Sequence, residues 1–458
     1  MPDRGELEVA VRISPLTALV RGLLERVMSR EVLDDLFARH VADQRVRQVT
    51  AGAVTHLMLQ VVAGTHRAVF AAFQADQSSD EPLMTISYQA LYERLGRMFP
   101  QYSCALVRAS ARQFGDLIRA QHSKASGCWK PYALRMVDGT MPEGSEHRLG
   151  VLRECGPAGL PAKVVFAFDP DSRLCVDVEA SEDAYTSEAR LAGELFSRAR
   201  REELYVADRA YCSSTLFALL IDQQADFVIR EMSGPVISNT SRLIKAGDLD
   251  GGRVLEQTVV MTQPRTSREI ALRRIVFRLA EPTQKGETEV RLLTTLPDSI
   301  NAVEIANLYG RRWSIETHIE RVKHILQGEI QSLGKPRAAI FVLCLSMVAS
   351  NALAAAETQI RKAHPTTEEL SGYYLADEIA AHYRSLSRIV STKTWLELTD
   401  LPVPDFRAWC QRVARDVRPQ AFTRHPRGPK HPPPKRTSGK HRHHYATQRL
   451  INKAKQLP

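Results

Sequence analysis

Two short, largely apolar runs, each closed by an aspartate, constrain this chain most. Leu134-Arg135-Met136-Val137 ends at Asp138-Gly139-Thr140, and Leu204-Tyr205-Val206-Ala207 ends at Asp208-Arg209-Ala210-Tyr211. Each reads as a buried strand that delivers a carboxylate at its C-terminal tip. That tip is where open α/β sheets place their sites. Around the two runs the pattern predicts β-β-β-α-β-α-β over residues 130–230. The strands are Leu134–Val137, Lys163–Phe168, Arg173–Glu179, Leu204–Ala207 and Asp226–Arg230, with helices over Ser187–Ala199 and Ser213–Gln223. Asp169-Pro170-Asp171-Ser172 falls between two strands and reads as a hairpin turn. Asp177 and Asp183 read as surface or loop residues.

A third carboxylate comes from the stretch Asn301 to Leu326, which the apolar spacing predicts as one continuous helix. Tyr309, Arg312, Glu316 and Lys323 lie at offsets of three, seven and fourteen from the first. At about 100° per residue they share one stripe. Leu308, Ile315, Ile319, Val322 and Leu326 fill a neighbouring face that can bury against a core. By itself the stripe also fits an ordinary amphipathic helix with an Arg312–Glu316 ion pair. Two strand-end aspartates with a helix glutamate, however, form the oxygen-rich ligand set that hard divalent cations prefer.

The spacing Tyr309-(2)-Arg312-(3)-Glu316-(6)-Lys323 resembles the signature of the IS-four type of bacterial insertion-sequence DDE transposases. Trp313 beside the arginine, and Asp208-Arg209 followed by an aromatic, are similar to that family as well. Ala210 stands where many relatives carry glycine. The resemblance covers Met136 to Lys323. It implies an α/β fold, an RNase H-like mixed-sheet catalytic core with an inserted β-rich subdomain. The first and fourth strands would then be neighbours, about 4.8 Å apart. It also implies that Asp138, Asp208 and Glu316 are the catalytic residues and hold two Mg²⁺ or Mn²⁺ ions. Arg312, Lys323 and Tyr309 would contact DNA phosphates. Trp313 would stack on an unpaired base, though core packing fits it equally. Glu320 is the alternative third ligand.

The activity implied is DNA transposition of the cut-and-paste type. It comprises metal-dependent strand cleavage and strand transfer at insertion-sequence ends, often through a hairpin intermediate. The partners are double-stranded DNA, at element ends and target, and a second copy of the chain in the active complex. An RNase H-like metal-dependent nuclease without strand transfer, and a non-catalytic DNA-binding derivative, are the alternatives.

Charge supports a polyanionic partner. The 458 residues carry a formal net charge of +10. From Val417 to Pro458 there are eleven basic residues and no acidic one, so the rest of the chain stands at −1. This segment contains Pro432-Pro433-Pro434 and few apolar residues, and is expected to be disordered. Such an arm attracts phosphate backbones without reading sequence, although a solubilising tail has the same composition. His441, His443 and His444 read as more of that polar tail. Seven cysteines without a CxxC pair argue against a disulfide framework or zinc cluster. With no apolar segment at the N-terminus, a cytoplasmic, nucleoid-associated protein is expected. Ala338 to Ala356 is the longest apolar stretch. It reads as a buried core helix and not a membrane span, being broken by Ser346, Ser350 and Asn351.

Five segments complete the expected organisation. Residues 1–125 read as helical, with Ser14-Pro15 and Ser87 as helix starts. Helices are expected over Val54 to Phe73 and Ala105 to Gln121, the latter carrying Arg108, Arg112 and Arg119. The family resemblance implies DNA-end binding there; a bundle without a DNA role fits the residues equally. The core spans 126–231 and 299–410. Between them, 232–298 reads as an all-β insertion with strands Arg253–Met261, Arg268–Leu279 and Thr288–Thr295. Arg265, Arg268, Arg273 and Arg274 are candidates for a DNA-facing rim. After Ala338–Lys362 and Leu375–Val390, both helical, 411–458 is the basic tail.

Overall fold

A computed structural model describes residues 4–40, 48–79, 82–119, 129, 131–143, 162–234, 236–264, 266–283, 286–365 and 369–424. The chain opens with seven helices: α1 (Arg4–Ile13), α2 (Pro15–Val27), α3 (Arg30–His40), α4 (Gln48–Val62), α5 (Val69–Gln77), α6 (Tyr88–Leu95) and α7 (Pro100–Arg119). The two predicted starts have the expected cause. Ser14 Oγ accepts from Thr17 N, and Ser87 Oγ accepts from Ala90 N, each at 3.2 Å. The helix expected over Val54 to Phe73 is two helices. Gly64 takes φ +77°, and Thr65 N donates to the Gln60 carbonyl, which closes α4 at its C-terminus. The helix expected from Ala105 begins earlier, at Pro100, because proline is tolerated in a first turn.

Next come β1 (Ala133–Thr140), β2 (Lys163–Asp169), β3 (Leu174–Ser181), α8 (Glu188–Phe196), β4 (Glu203–Ala207), α9 (Ser214–Asp222) and β5 (Asp226–Arg230). β2 runs antiparallel to β1 and to β3, while β4 runs parallel to β1 and to β5. The resulting order, β3-β2-β1-β4-β5, is the RNase H-like arrangement. Side chains alternate across the sheet. Met136 and Phe166 therefore pack on the face covered by the N-terminal helices, and Val137 and Val165 on the face covered by α8 and α9.

The insertion supplies β6 (Ile237–Asn239), β7 (Ile244–Leu249), β8 (Gly252–Thr262), β9 (Glu269–Leu279) and β10 (Glu289–Thr294). It is not a separate all-β subdomain. β10 pairs antiparallel with β5, so the insertion continues the same sheet to ten strands. An unpaired β5 edge would expose a row of backbone donors and acceptors, and β10 covers it.

The glutamate segment is broken where one helix was expected. It comprises α10 (Ala302–Gly310), a 3₁₀ turn at Arg311–Trp313, α11 (Ser314–Glu320) and a π-helical turn at Arg321–Ile325. It is followed by α12 (Pro336–Ala363), α13 (Gly372–Ile389), α14 (Thr392–Thr399) and α15 (Val403–Asp416). α12 is long and apolar enough to cross a membrane, but its apolar window is entirely buried in this fold. Its buried Asn351 donates to Ser110 Oγ and to the Cys175 carbonyl, and accepts from Cys175 N.

The described helices α1–α7 share one core with α12–α15. α15 and a 3₁₀ turn at Pro419–Phe422 carry the folded part past 411, to Thr423. Residues 425–458, with the histidines of the tail, lie outside the described residues.

Candidate active site

The sheet register brings the two aspartates together. Val137 of β1 pairs directly with Ala207 of β4, and each is followed by an aspartate. Asp138 and Asp208 therefore emerge at neighbouring strand tips. Asp138 Oδ1 accepts from Gly139 N at 2.9 Å. Asp208 Oδ1 accepts from Ala210 N at 2.8 Å and so caps the turn that follows β4.

Arg312 ties the third carboxylate to the first. Its Nη1 is 3.5 Å from Asp138 Oδ2, and its Nη2 is 3.3 Å from Glu316 Oε1. Its guanidinium carbon also lies 5.4 Å from the Trp313 ring centre and 6.0 Å from that of Tyr309. Arg312 is only 9% exposed, so these contacts are weakly screened. Burial pushes the Asp138 carboxyl up to about 6. Asp208 and Glu188 repel its charge and add to the rise, while Gly139 N–H and Arg312 oppose it. Burial likewise raises the Tyr309 phenol.

Breaking the helix interrupts the predicted stripe without dispersing it. Tyr309 lies near the end of α10, Arg312 in the 3₁₀ turn, Glu316 on α11, and Lys323 in the π-helical turn. Lys323 Nζ donates to the Met141 carbonyl at 2.7 Å and pairs with Glu329 at 2.8 Å. It thereby fastens the segment just after β1 to the glutamate's element. Trp313 is 63% exposed, so it is not core packing. Glu320 is exposed.

Other expectations are redistributed. Arg273 and Arg274 are buried and form no rim. Arg273 serves Glu256 and the carbonyls of Leu296, Pro297 and Ile300, while Arg274 serves Glu231 and Asn239. Arg268 pairs with Asp222, and Arg265 lies outside the described residues. Asp169 accepts from Asp171 N and Ser172 N, as a hairpin turn requires. Asp177 pairs with Arg108 and Arg198.

Three neighbours carried no sequence signal. Glu188 begins α8 and accepts from Tyr211 Oη at 3.2 Å. His318 is buried and stacked 4.4 Å from the Phe168 ring; burial, with Arg321 nearby, drives its pKa down to about 3, so it is neutral packing. Gly139, without a Cβ, leaves room for the Glu188 carboxylate, whose oxygens a Cβ there would meet at 2.7 Å.

The chemistry of the donor set fits a hard divalent ion, since it is wholly carboxylate and its members repel one another. In this arrangement no three such side chains converge closely enough to hold a metal among the described residues. The cation that stands between Asp138 and Glu316 is Arg312.

Fold and site together define an RNase H-like core with an acidic site at its strand tips. Residues 154–352 match the family model described as "Transposase DDE domain". Asp208 and Glu316 lie inside the matched stretch, and Asp138 shortly before it. The chain is also similar to piggyBac transposase in a cryo-EM synaptic complex with hairpin DNA, at 10% identity and a TM-score of 0.42, over 85% of this chain and 84% of that one. No curated protein sequence matches it significantly.

Proposed function

We propose that this chain is a DNA transposase of the IS-four type that cleaves insertion-sequence ends and joins the freed strand to target DNA in a cut-and-paste reaction. The observation that carries this reading is the Val137–Ala207 register, which sets Asp138 beside Asp208, together with the Arg312 bridge to Glu316. Asp138, Asp208 and Glu316 are the residues that would hold two Mg²⁺ or Mn²⁺ ions. Bound there, the pair supplies activation of the attacking oxygen and charge neutralisation at the leaving 3′-oxygen.

The remaining work falls to this chain's own side chains. Arg312 offsets carboxylate repulsion until DNA and cations arrive, then serves a phosphate beside the scissile bond. Tyr309 and Lys323 serve neighbouring phosphates, Lys323 by exchanging its Met141 and Glu329 contacts. Trp313, exposed beside the arginine, offers a face on which an unpaired base stacks. Double-stranded DNA is the partner, a homodimer is the active form, and the bacterial nucleoid is the place of action.

The test is a strand-cleavage and strand-joining assay on linear DNA bearing the repeats that flank the coding region, with Mg²⁺ or Mn²⁺. Wild type is expected to cleave and join, and Asp138→Ala, Asp208→Ala and Glu316→Ala each to lose both activities. Cleavage without joining would assign a nuclease. Binding without either activity would assign a DNA-binding derivative.

A further inference from the structure

The glutamate segment is held at both of its breaks by one turn of the sheet. That turn joins β2 to β3 and lies at the sheet end opposite to the aspartate tips, since β2 runs antiparallel to β1. Arg311 opens the 3₁₀ turn, and its Nη2 donates to Asp171 Oδ1 in the sheet turn at 3.1 Å. Arg321 opens the π-helical turn, and its Nη2 donates to Glu357 Oε1 of α12 at 2.6 Å. The other oxygen of Glu357 accepts from Arg173 Nη1, in the same sheet turn, at 2.9 Å. Between these two anchors, His318 of α11 stacks on Phe168 near the end of β2.

Ordinary fastening accounts for part of this. Glu357 is 2% exposed, and a carboxylate so buried needs a cation. Arg361 of α12 itself stands 3.9 Å away, yet arginines from the sheet turn and from the glutamate segment share the same group. Arg173 moreover takes φ +58°, a conformation that suits glycine in a turn and costs energy for other residues. Its side chain, and not its backbone, accounts for an arginine there. The sheet that carries Asp138 and the segment that carries Glu316 are joined along the chain only through the long insertion. A functional carboxylate must be held to within about 0.5 Å, so the segment needs a second attachment to that sheet.

We propose that the β2–β3 turn is the frame that fixes the place of Glu316 relative to Asp138, gripping the glutamate segment at Arg311 directly and at Arg321 through Glu357. Asp171, Arg173, Arg311, Arg321 and Glu357 are positioning residues: they act through Glu316 and not on the reacting atoms. The inference rests on the proposed transposase site and adds to it the means by which its third carboxylate is held.

The test is single-turnover cleavage of linear DNA bearing the flanking repeats, at saturating DNA with Mg²⁺, with DNA affinity and amide hydrogen exchange measured on the same full-length chains. Asp171→Ala combined with Arg173→Gly cuts both attachments of the turn without altering the glutamate segment, and glycine suits the φ at 173. This double variant is expected to cleave at least about 10-fold more slowly, with DNA affinity unchanged and faster exchange confined to residues 311–325. Arg321→Ala is expected to slow cleavage in wild type but to add less in the double variant, where its link is already cut. Wild-type cleavage and exchange in the double variant overturn the proposal. So does a loss of DNA affinity with the saturated rate unchanged, which would make the turn a DNA contact. Faster exchange throughout the chain also overturns it and would assign the turn to general stability. If wild type cleaves no DNA, the proposed function fails, and exchange over 311–325 still decides whether the turn holds the segment.

Discussion

Arg312 holds Nη1 3.5 Å from Asp138 Oδ2, with 11% of its side chain and 20% of the aspartate's exposed to solvent. One guanidinium thus bridges β1 and the segment that carries Glu316. Arg312→Ala would leave Asp138 partly buried without its opposite charge. We expect a loss of about 1–3 kcal/mol in urea unfolding without divalent ions, shrinking when Mn²⁺ is added. Equal losses with and without Mn²⁺ would show that the arginine does not stand in for an ion.

The raised Asp138 carboxyl has a definite sign in stability. Its folded value, about 6, lies above the unfolded value of about 4. The folded chain therefore binds the proton more tightly, and stability falls as pH rises from about 4 to about 6. Asp138→Asn removes that penalty. The variant should be more stable than wild type at pH 7 by about 1–2 kcal/mol and no more stable at pH 4. Thermal unfolding of metal-free protein at both pH values measures this; a gap that does not change with pH refutes it.

Arg274 contributes to folding and not to DNA contact. Its bidentate pair with Glu231 is about nine-tenths buried on both sides. Breaking such a pair from one side costs about 3–5 kcal/mol. Arg274→Ala should lower stability by that order, while the salt dependence of DNA binding by the folded fraction stays the same. A flattened salt dependence at full stability would restore the rim that its sequence suggested.

Lys323 offers a sharper choice. As a phosphate contact, its replacement by methionine should weaken DNA binding for all sequences and reduce the slope of log affinity against log salt by about 1. As a tether for Met141, it should slow cleavage with the slope untouched. The proposed function expects the first result, in filter binding across a salt series.

The tail can be tested by charge alone. Truncation after Arg424 removes nine basic residues and no acidic one. Non-specific DNA affinity should drop, and its salt slope should fall by several units. Unchanged binding between about 50 and 200 mM salt would leave the segment as a solubilising tail.

Local chemistry was legible from residue order. Alternation and turn residues placed all five core strands, and Ser14 and Ser87 marked helix starts, because each depends on neighbours a few residues away. The two strand-end aspartates could be singled out because a short strand must end somewhere and a carboxylate at its end is conspicuous, whereas Glu316 stood out by its spacing from Tyr309, Arg312 and Lys323, which resembles a family signature. What residue order could not decide is anything set by distant segments. Arg273 and Arg274 read as surface cations until β8 and the Leu296–Ile300 turn closed over them. The glutamate stretch read as one helix, since the lone Gly310 before the first break is tolerated inside a helical pattern and nothing local marks the second at Arg321. Short-range preferences are written in consecutive residues, but the company a charge keeps depends on which strands pair and which faces they turn, and only the folded chain settles that.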